Sequence, residues 1–226
     1  MISVLSAVST AAVTGGLGLT GRWLLRQRDE LGRPRPFPTI SVSLLAVLAV
    51  GFAVPVLRRH QEESRLSQVA SALVGHPVHV HCQSIGQALA DVGAELGFVK
   101  YDASGRPEPR TTIKRDPCGQ LRKYYSGHRS RPSFDMVVAV HVLTHESMHM
   151  RGLTNEAAAE CAALQRDETT AQLLGATAAQ ARELARDYWL TVYPDMPDDY
   201  RDGGCVPGGP ADERLDTAPW APAPAA

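Results

Sequence analysis

The residues best suited to chemistry are two histidines and a glutamate in the segment HESMH, which runs from His145 to His149. His145 and His149 are four residues apart, so a helix places both imidazoles on one face, about one turn apart. This is the spacing of two ligands to one tetrahedral Zn²⁺ ion. Glu146 follows the first histidine, where its carboxylate can take a proton from metal-bound water. The segment therefore predicts a zinc site with Glu146 as its catalytic residue.

The residues around this motif predict a buried helix. Ser133 can cap its N-terminus and Gly152 is a fitting stop. The turns before the motif are rich in valine, and a buried His-Glu-His set needs a metal or another partner. His141 lies one turn before His145, but a helix drifts about 40° per four-residue step. Three successive turns do not easily converge on one ion, so we expect His141 to be a hydrogen-bonded core residue or a partner of a ligand.

A zinc site with two histidines needs a further donor, and the segment NEAAAEC that follows offers two acids. Glu156 and Glu160 lie four residues apart at the start of the next predicted helix. One can coordinate the metal, while the other can accept a hydrogen bond from an imidazole N–H and fix its tautomer. The alternative is that both are solvated acids favouring a helix N-terminus.

Together these segments resemble gluzincin-type metallopeptidases, in which H-E-x-x-H is followed by a helix with E-x-x-x-D/E. The chain is especially similar to the neutral zinc metallopeptidases that carry E-x-x-A-D-C, because Glu156, Ala159, Glu160 and Cys161 follow that order with Glu for Asp. It also looks like actinobacterial membrane proteins with this short arrangement. The resemblance covers residues 133 to 170. It implies Zn²⁺, Glu156 as third ligand, Glu160 as a partner of a histidine, and peptide-bond hydrolysis.

The spacing departs from the gluzincin pattern, because only six residues separate His149 and Glu156. A competing register is the metzincin pattern H-E-x-x-H-x-x-G-x-x-H/D, which Gly152 fits. In that register Asn155 stands where His or Asp should be, and a neutral amide is a poor zinc ligand. We therefore favour Glu156.

The remaining patterns predict an α+β fold that is mostly helical, with a zincin-like domain over residues 60–205. Strands are expected at 97–101 and 110–114, joined by a loop rich in Gly and Pro, and a short strand is an option at 78–81. Further helices are expected at residues 62–74, 84–96, 155–174 and 178–192. The tail, residues 206–226, is rich in Pro, Gly and Ala and is expected to be disordered.

Residues 1–59 are expected to form a membrane anchor. Residues 39–57 are nineteen residues without a charge, which nearly span a hydrocarbon core of about 30 Å. Residues 2–21 are a weaker candidate for a first membrane helix. The linker between them holds five arginines, against three just beyond the second segment. The positive-inside tendency therefore puts the linker in the cytoplasm and the following domain outside the cell membrane.

Four cysteines, all after residue 80, are consistent with this placement because disulfides persist outside the cytosol. Four cysteines allow three pairings. We favour Cys82–Cys118, which staples the strand region to the segment before it. The second pair is then Cys161–Cys205, which ties the tail to the helix of Glu156.

The leading prediction is a membrane-anchored zinc peptidase that acts on peptides or proteins outside the cytosol. The alternatives are a non-catalytic, zinc-stabilised envelope or binding domain, and a membrane protein with a chance H-E-x-x-H. A formal net charge of −1 without clustered Lys or Arg argues against a nucleic-acid partner. The oxyanion-stabilising donor stays open among His128, Tyr124, Tyr125 and Tyr188. His79, His81 and Cys82 are weak ligand candidates, for which strand alternation is the better explanation.

Overall fold

The structure, a computed structural model, describes residues 2–28, 31–34, 36–91 and 93–222. The chain forms two compact units, with the boundary between Gln61 and Glu62. The second unit is rich in helices and contains one small sheet, which agrees with the predicted α+β class.

The first unit consists of helix α1 (Ile2–Leu25) and the first part of helix α2 (Thr39–Val74). Within it, Ser9 Oγ donates to the carbonyl of Ala49 over 3.1 Å. Among the described residues, α2 alone is long and apolar enough to cross a membrane. Pro55 lies inside α2 without ending it. The predicted segments 39–57 and 62–74 are therefore parts of one helix, and α1 as a membrane crossing stays a prediction.

The sheet of the second unit has three strands in the order β1-β3-β2: β1 (His79–Cys82), β2 (Gly97–Tyr101) and β3 (Pro107–Ile113). β1 runs parallel to β3, and β2 runs antiparallel to it, with Gly97 opposite Ile113. β2 matches its predicted bounds, whereas β3 begins three residues earlier than predicted because Tyr101 pairs with Pro107. β2 is thus an edge strand.

Helix α5 (Phe134–Met150) is the central helix of the second unit. The other helices of this unit are the last part of α2, α3 (Ile85–Ala90), α4 (Arg115–Ser126), α6 (Glu156–Leu164), α7 (Asp167–Leu173) and α8 (Ala178–Thr191), followed by 3-10 turns at Tyr193–Asp195 and Asp198–Tyr200. α5 contacts α4, α6, α7, α8, β2 and β3. Fully buried side chains around it include Tyr124, Leu143, Leu164 and Leu184. The motif-bearing helix is therefore the centre of the core.

Two predicted helices have different bounds in the structure. The helix predicted over 84–96 is limited to α3, which has no buried residues to extend it, and Asp91 instead accepts a hydrogen bond from the amide of Gly93. The helix predicted over 155–174 is divided into α6 and α7 at Gln165. The side chain of Gln165 binds Ala211 O and the amide of Glu213, which are remote in sequence.

The chain after Cys205 differs from the predicted disordered tail. Through residue 222 it lacks helices and strands, but it is anchored to the second unit. Thr217 donates to the carbonyl of Gln165, Glu213 pairs with Arg166, and Trp220 lies edge-on to Trp189 at 5.5 Å. The Pro- and Gly-rich composition disfavours helices and strands, but these polar and aromatic contacts hold the segment against the rest of the second unit. The predicted tail beyond residue 222 lies outside the described residues.

Both predicted disulfides are present. Cys82 is bonded to Cys118, and Cys161 is bonded to Cys205. The first links β1 to α4, and the second links α6 to the segment that follows the last 3-10 turn. Each joins elements that frame the helix carrying the H-E-x-x-H motif.

Candidate metal centre and active site

Helix α5 carries the motif, is capped at its N-terminus by Ser133 as predicted, and ends just before the predicted stop at Gly152. The Ser133 side chain accepts from the amide of Met136, and the helix ends at Met150. Gly152 has φ +112°, a conformation that L side chains rarely adopt, and its amide bonds to the carbonyl of His149. This glycine allows the chain to reverse directly after the second motif histidine.

The reversal places the next helix against the motif. Asn155 Oδ1 accepts from the amide of Ala158, so Asn155 is the N-cap of α6. This leaves Asn155 in a capping role, which argues against the metzincin register. Glu156 is then the first residue of α6, and the short loop brings its carboxylate to both histidines.

Three candidate ligand atoms converge in a compact triangle. His145 Nε2 and His149 Nε2 are 2.9 Å apart, and Glu156 Oε2 lies 3.1 Å from the first and 3.2 Å from the second. Ligands on one tetrahedral zinc with bonds of about 2.0–2.1 Å are separated by about 3.3 Å. The triangle is thus close to the size that one such ion requires.

The Nδ1 atoms of His145 and His149, which point away from the triangle, also support a metal site. His149 Nδ1 lies 2.7 Å from the carbonyl of Leu153, which accepts hydrogen bonds only, so Nδ1 carries the proton. His145 Nδ1 lies 3.0 Å from Glu160 Oε2, an ion-pair distance, although the oxygen is off the direction of the N–H. When His145 is neutral with its proton on Nδ1, the two Nε2 atoms present lone pairs to each other. A cation between them and the Glu156 carboxylate then relieves their repulsion, as a proton on His145 Nε2 also would.

The charges around the triangle favour a cation. The hydrogen bond from His145 lowers the pKa of Glu156 below its usual range. Burial opposes a charge on His145, but Glu156 and Glu160 raise its pKa to about 9. Burial lowers the pKa of His149. Acidic groups therefore stabilise one positive charge at this position, which a proton on His145 or a metal ion can supply.

Comparison with known protein families, curated proteins and solved structures finds no match. The resemblance to gluzincins therefore rests on the motif residues themselves.

Glu146 lies beside the triangle and is almost completely buried. Its Oε2 lies 3.3 Å from the Thr111 hydroxyl on β3, whose one proton is shared with the carbonyl of Phe98 at 3.0 Å. On its other side it contacts Gly97 so closely that a Cβ at Gly97 would lie 2.8 Å from Glu146 Oε1. Burial raises the pKa of Glu146 to about 7, against the opposing effects of His145 and Thr111. A carboxyl group with this pKa can both take and release a proton near neutral pH.

A cleft of about 490 Å³ opens onto these residues. Its lining residues come from the edge strand β2, from α5, α6 and α8, and from the segment after α8. Most of the lining is apolar, with Phe98, Val142, Val192 and Met196 among its residues. A cleft of this size, with a few convergent polar groups, is typical of a site for a small molecule or a short peptide.

Two tyrosines that the sequence analysis did not select also line this cleft. Tyr101 Oη is 3.3 Å from His149 Nδ1, and the Tyr200 ring is stacked on His145 with centroids 5.7 Å apart. Burial raises the pKa of Tyr101, and it raises the pKa of Tyr200 to about 12. Both hydroxyls therefore stay protonated near neutral pH and can donate hydrogen bonds. No motif marks them, because they reach the site through β2 and the last 3-10 turn.

Behind the triangle, Glu160 belongs to a buried polar cluster. Its Oε2 lies 2.9 Å from His141 Nε2, and His141 Nδ1 lies 2.8 Å from Asp167 Oδ2. The Tyr188 hydroxyl donates to Glu160 Oε1 over 3.0 Å, and the Tyr188 ring stacks on His141. Burial opposes a charge on His141, but Asp167 and Glu160 raise its pKa to about 10. Glu160 in turn has a lowered pKa, because its hydrogen bond with His141 and the attraction of His141 and His145 outweigh the effect of its burial.

The structure thus brings the main predicted site residues together: His145, His149 and Glu156 at the triangle, with Glu146 and Glu160 beside it. His141 is hydrogen-bonded in the core, as expected. Of the four candidate oxyanion donors, Tyr188 donates to Glu160, and the other three are outside the cleft lining.

Two of the weaker ligand candidates, His81 and Cys82, have other partners in the structure. His81 contacts Glu63 and Gln87, and Cys82 is in a disulfide. Asp167 was missed because its contact with His141 depends on the break between α6 and α7.

Proposed function

We propose that this chain is a membrane-anchored, zinc-dependent peptidase with a zincin-like domain, and that His145, His149 and Glu156 are its metal ligands. The observation that carries the proposal is the convergence of two imidazole lone pairs and one carboxylate oxygen within 2.9–3.2 Å of one another. Nitrogen and carboxylate ligands in this number are typical of catalytic zinc sites, which keep a fourth position open. All three residues line the cleft, which would give a substrate access to the metal.

When bound, zinc would supply a Lewis acid that polarises a carbonyl group and makes water a better nucleophile. Glu146 is placed to take the proton from that water and pass it to the leaving amine. The Thr111 hydroxyl orients the carboxylate, and Gly97 leaves the space that it occupies. Tyr101 and Tyr200 are the hydroxyl donors that face the same cleft.

The edge strand β2 favours an extended peptide as the substrate. β2 pairs with β3 on one side, and its residues line the cleft. The edge of a strand can bind an extended chain through main-chain hydrogen bonds. The apolar residues of α5 and of the segment after α8 that line the same cleft can then contact the substrate side chains.

The proposed location is the cell membrane, with the second unit on the extracytoplasmic side. The apolar helix α2 supports membrane attachment. The arginines of the linker before it support a cytoplasmic position for that linker. Two disulfides in the second unit are consistent with an oxidising compartment.

The proposed activity is tested with the full-length protein in detergent, using a library of quenched fluorescent peptides. Glu146→Gln should keep zinc and lower hydrolysis by roughly 10²–10⁴-fold, the usual contribution of a general base. The matched control is Glu168→Gln, which alters another buried glutamate that pairs with Arg182 instead. Hydrolysis that Glu146→Gln leaves unchanged would contradict the proposed role of Glu146.

The same experiment separates catalysis from the non-catalytic alternative. A protein that binds zinc and loses thermal stability when zinc is removed, but cleaves no peptide in the library, would favour a zinc-stabilised binding domain. A protein that binds no zinc would leave the H-E-x-x-H segment as a chance match.

The proposed orientation is tested by labelling a cysteine introduced for Glu183, an exposed residue of α8. In intact cells a membrane-impermeant maleimide should label this cysteine. It should leave a cysteine in place of Gly32, in the linker, unlabelled. The opposite labelling pattern would reverse the topology.

A further inference from the structure

Behind the metal triangle lies a chain of buried groups that the proposed reaction does not use. It runs from Asp167 to His141 over 2.8 Å, from His141 to Glu160 over 2.9 Å, and from Glu160 to His145 Nδ1 over 3.0 Å. Asp167, His141 and Glu160 are at most 3% exposed. Asp167 lies on α7, His141 on α5 and Glu160 on α6. Tyr188 of α8 donates a hydrogen bond from its hydroxyl to Glu160.

The protons in this chain follow from its geometry. Both ring nitrogens of His141 lie within hydrogen-bond distance of a carboxylate oxygen, and a carboxylate accepts but does not donate. Burial raises the pKa of Asp167, and the attraction and the hydrogen bond of His141 oppose that rise. With both acids ionised, His141 donates from both nitrogens and carries a positive charge between them. That charge allows Glu160 to stay ionised in a buried position, where a lone carboxylate would be strongly disfavoured.

We propose that Asp167 and His141 are positioning residues that hold the side chain of Glu160 against His145 Nδ1. Glu160 Oε2, held 3.0 Å from Nδ1, orients the His145 ring so that its Nε2 faces the metal triangle. Partners outside the ligand set orient and tune metal ligands in this way. This inference rests on the proposed metal site and extends it by two residues that do not touch the metal.

A second metal ion is the competing explanation, because His141, His145 and Glu160 also form a possible ligand group. The contact between His141 Nδ1 and Asp167 favours the proton, since each nitrogen of the ring then has one acceptor. The two explanations differ in stoichiometry. The relay of Asp167, His141 and Glu160 predicts one zinc per chain, and two zinc ions per chain would overturn it.

The relay is tested by the zinc affinity of the full-length protein, measured by competition with a chelator. His141→Phe keeps an aromatic ring on Tyr188 but removes both donors, and it should weaken zinc binding by about 10-fold or more. His141→Gln keeps one N–H for Glu160 and should restore most of that loss. Glu168→Gln is the matched control, because Glu168 follows Asp167 on α7 but pairs with Arg182, and it should bind zinc within 2-fold of the wild type.

The order of affinities identifies the mechanism. A role in packing alone predicts that the bulky, apolar Phe is no worse than Gln. Zinc affinity in His141→Phe within 2-fold of the wild type would overturn the relay while leaving the proposed metal site intact. Absence of zinc from the wild-type protein would instead contradict the proposed function itself.

A measurement on the wild-type chain covers the case in which His141→Phe does not fold. Nitrogen chemical shifts of the metal-free protein, with ¹⁵N-labelled histidine, report the protonation of each ring nitrogen. The relay predicts protons on both nitrogens of His141 and on Nδ1 of His145. An unprotonated ring nitrogen on His141 would overturn the relay.

Discussion

His141 and His149 lie two turns apart on the same helix, and both are buried, yet their surroundings differ in kind. His141 has a carboxylate at each ring nitrogen, and the two acids raise its pKa to about 10 despite burial. His149 has a backbone carbonyl at Nδ1 and faces another imidazole and Glu156 at Nε2, and burial lowers its pKa. One imidazole is arranged to hold a proton, and the other to offer a lone pair.

The difference shows that the partner atoms, more than the residue type or its spacing, decide what a buried histidine does. All three histidines of α5 repeat at four-residue intervals. His145, between the other two, contacts both surroundings: its Nδ1 faces Glu160 and its Nε2 faces Glu156. The cleft side is therefore suited to a metal ion, and the buried side to a charged hydrogen-bond network.

The largest expected contrast is between the two acids that contact His145. Glu156→Ala removes a ligand on the cleft side and should abolish stoichiometric zinc binding. Glu160→Ala removes a partner on the buried side and should weaken zinc binding by about 10–100-fold while keeping the site. Dissociation constants for the two variants, measured by chelator competition, check this order. If Glu160→Ala is the variant that empties the site, the roles of the two acids are reversed.

A smaller effect is expected from Gly97→Ala, which acts on the cleft side without touching a ligand. The added Cβ would lie 2.8 Å from Glu146 Oε1, so the carboxylate must move. Displacement of a general base should lower kcat for peptide hydrolysis by roughly 10-fold or more, with zinc content unchanged. Gly119→Ala is the control, because a Cβ at Gly119 has no atom within 4 Å among the described residues. Equal kcat values for the two variants would show that Glu146 is not held as described.

The smallest effect concerns the buried side and the stability of the metal-free protein. The folded-state pKa of His141 is raised to about 10 from an ordinary 6.5, so its contribution to stability is complete below pH 6.5 and is lost as the pH rises towards 10. We expect a decrease on the order of 1–4 kcal/mol in the free energy of unfolding over this range. Denaturation in the presence of a chelator, followed by tryptophan fluorescence, measures it. His141→Phe should show a shallower dependence on pH, and an equal slope would contradict the charge on His141.

The sequence was informative where the chemistry is local. The four-residue spacing of His145 and His149, the cap at Ser133 and the stop at Gly152 depend on neighbouring residues, and the structure contains each of them. The bounds of β2 and both disulfide pairings were also predicted. The helix features follow from periodicity and capping chemistry, and the disulfide pairing was favoured among three because of the segments that each bond would join.

The features that the sequence analysis missed depend on contacts between distant segments. Tyr101 lies on strand β2, 48 residues before His149 in the sequence. Tyr200 lies on the last 3-10 turn, well after the motif. Asp167 meets His141 because hydrogen bonds from Gln165 to residues 211 and 213 interrupt the helix. The periodicity of the sequence does not reveal contacts between residues so far apart. The Pro-rich composition of the tail indicated disorder instead.

The central claim is that one zinc ion binds His145, His149 and Glu156. Its most direct test is the metal content and zinc X-ray absorption spectrum of the full-length protein, with His149→Ala for comparison. The account predicts one zinc per chain, nitrogen and oxygen neighbours at about 2.0–2.2 Å, and loss of the metal in His149→Ala. Sulfur neighbours at about 2.3 Å, or the same zinc content in His149→Ala as in the wild type, would contradict it.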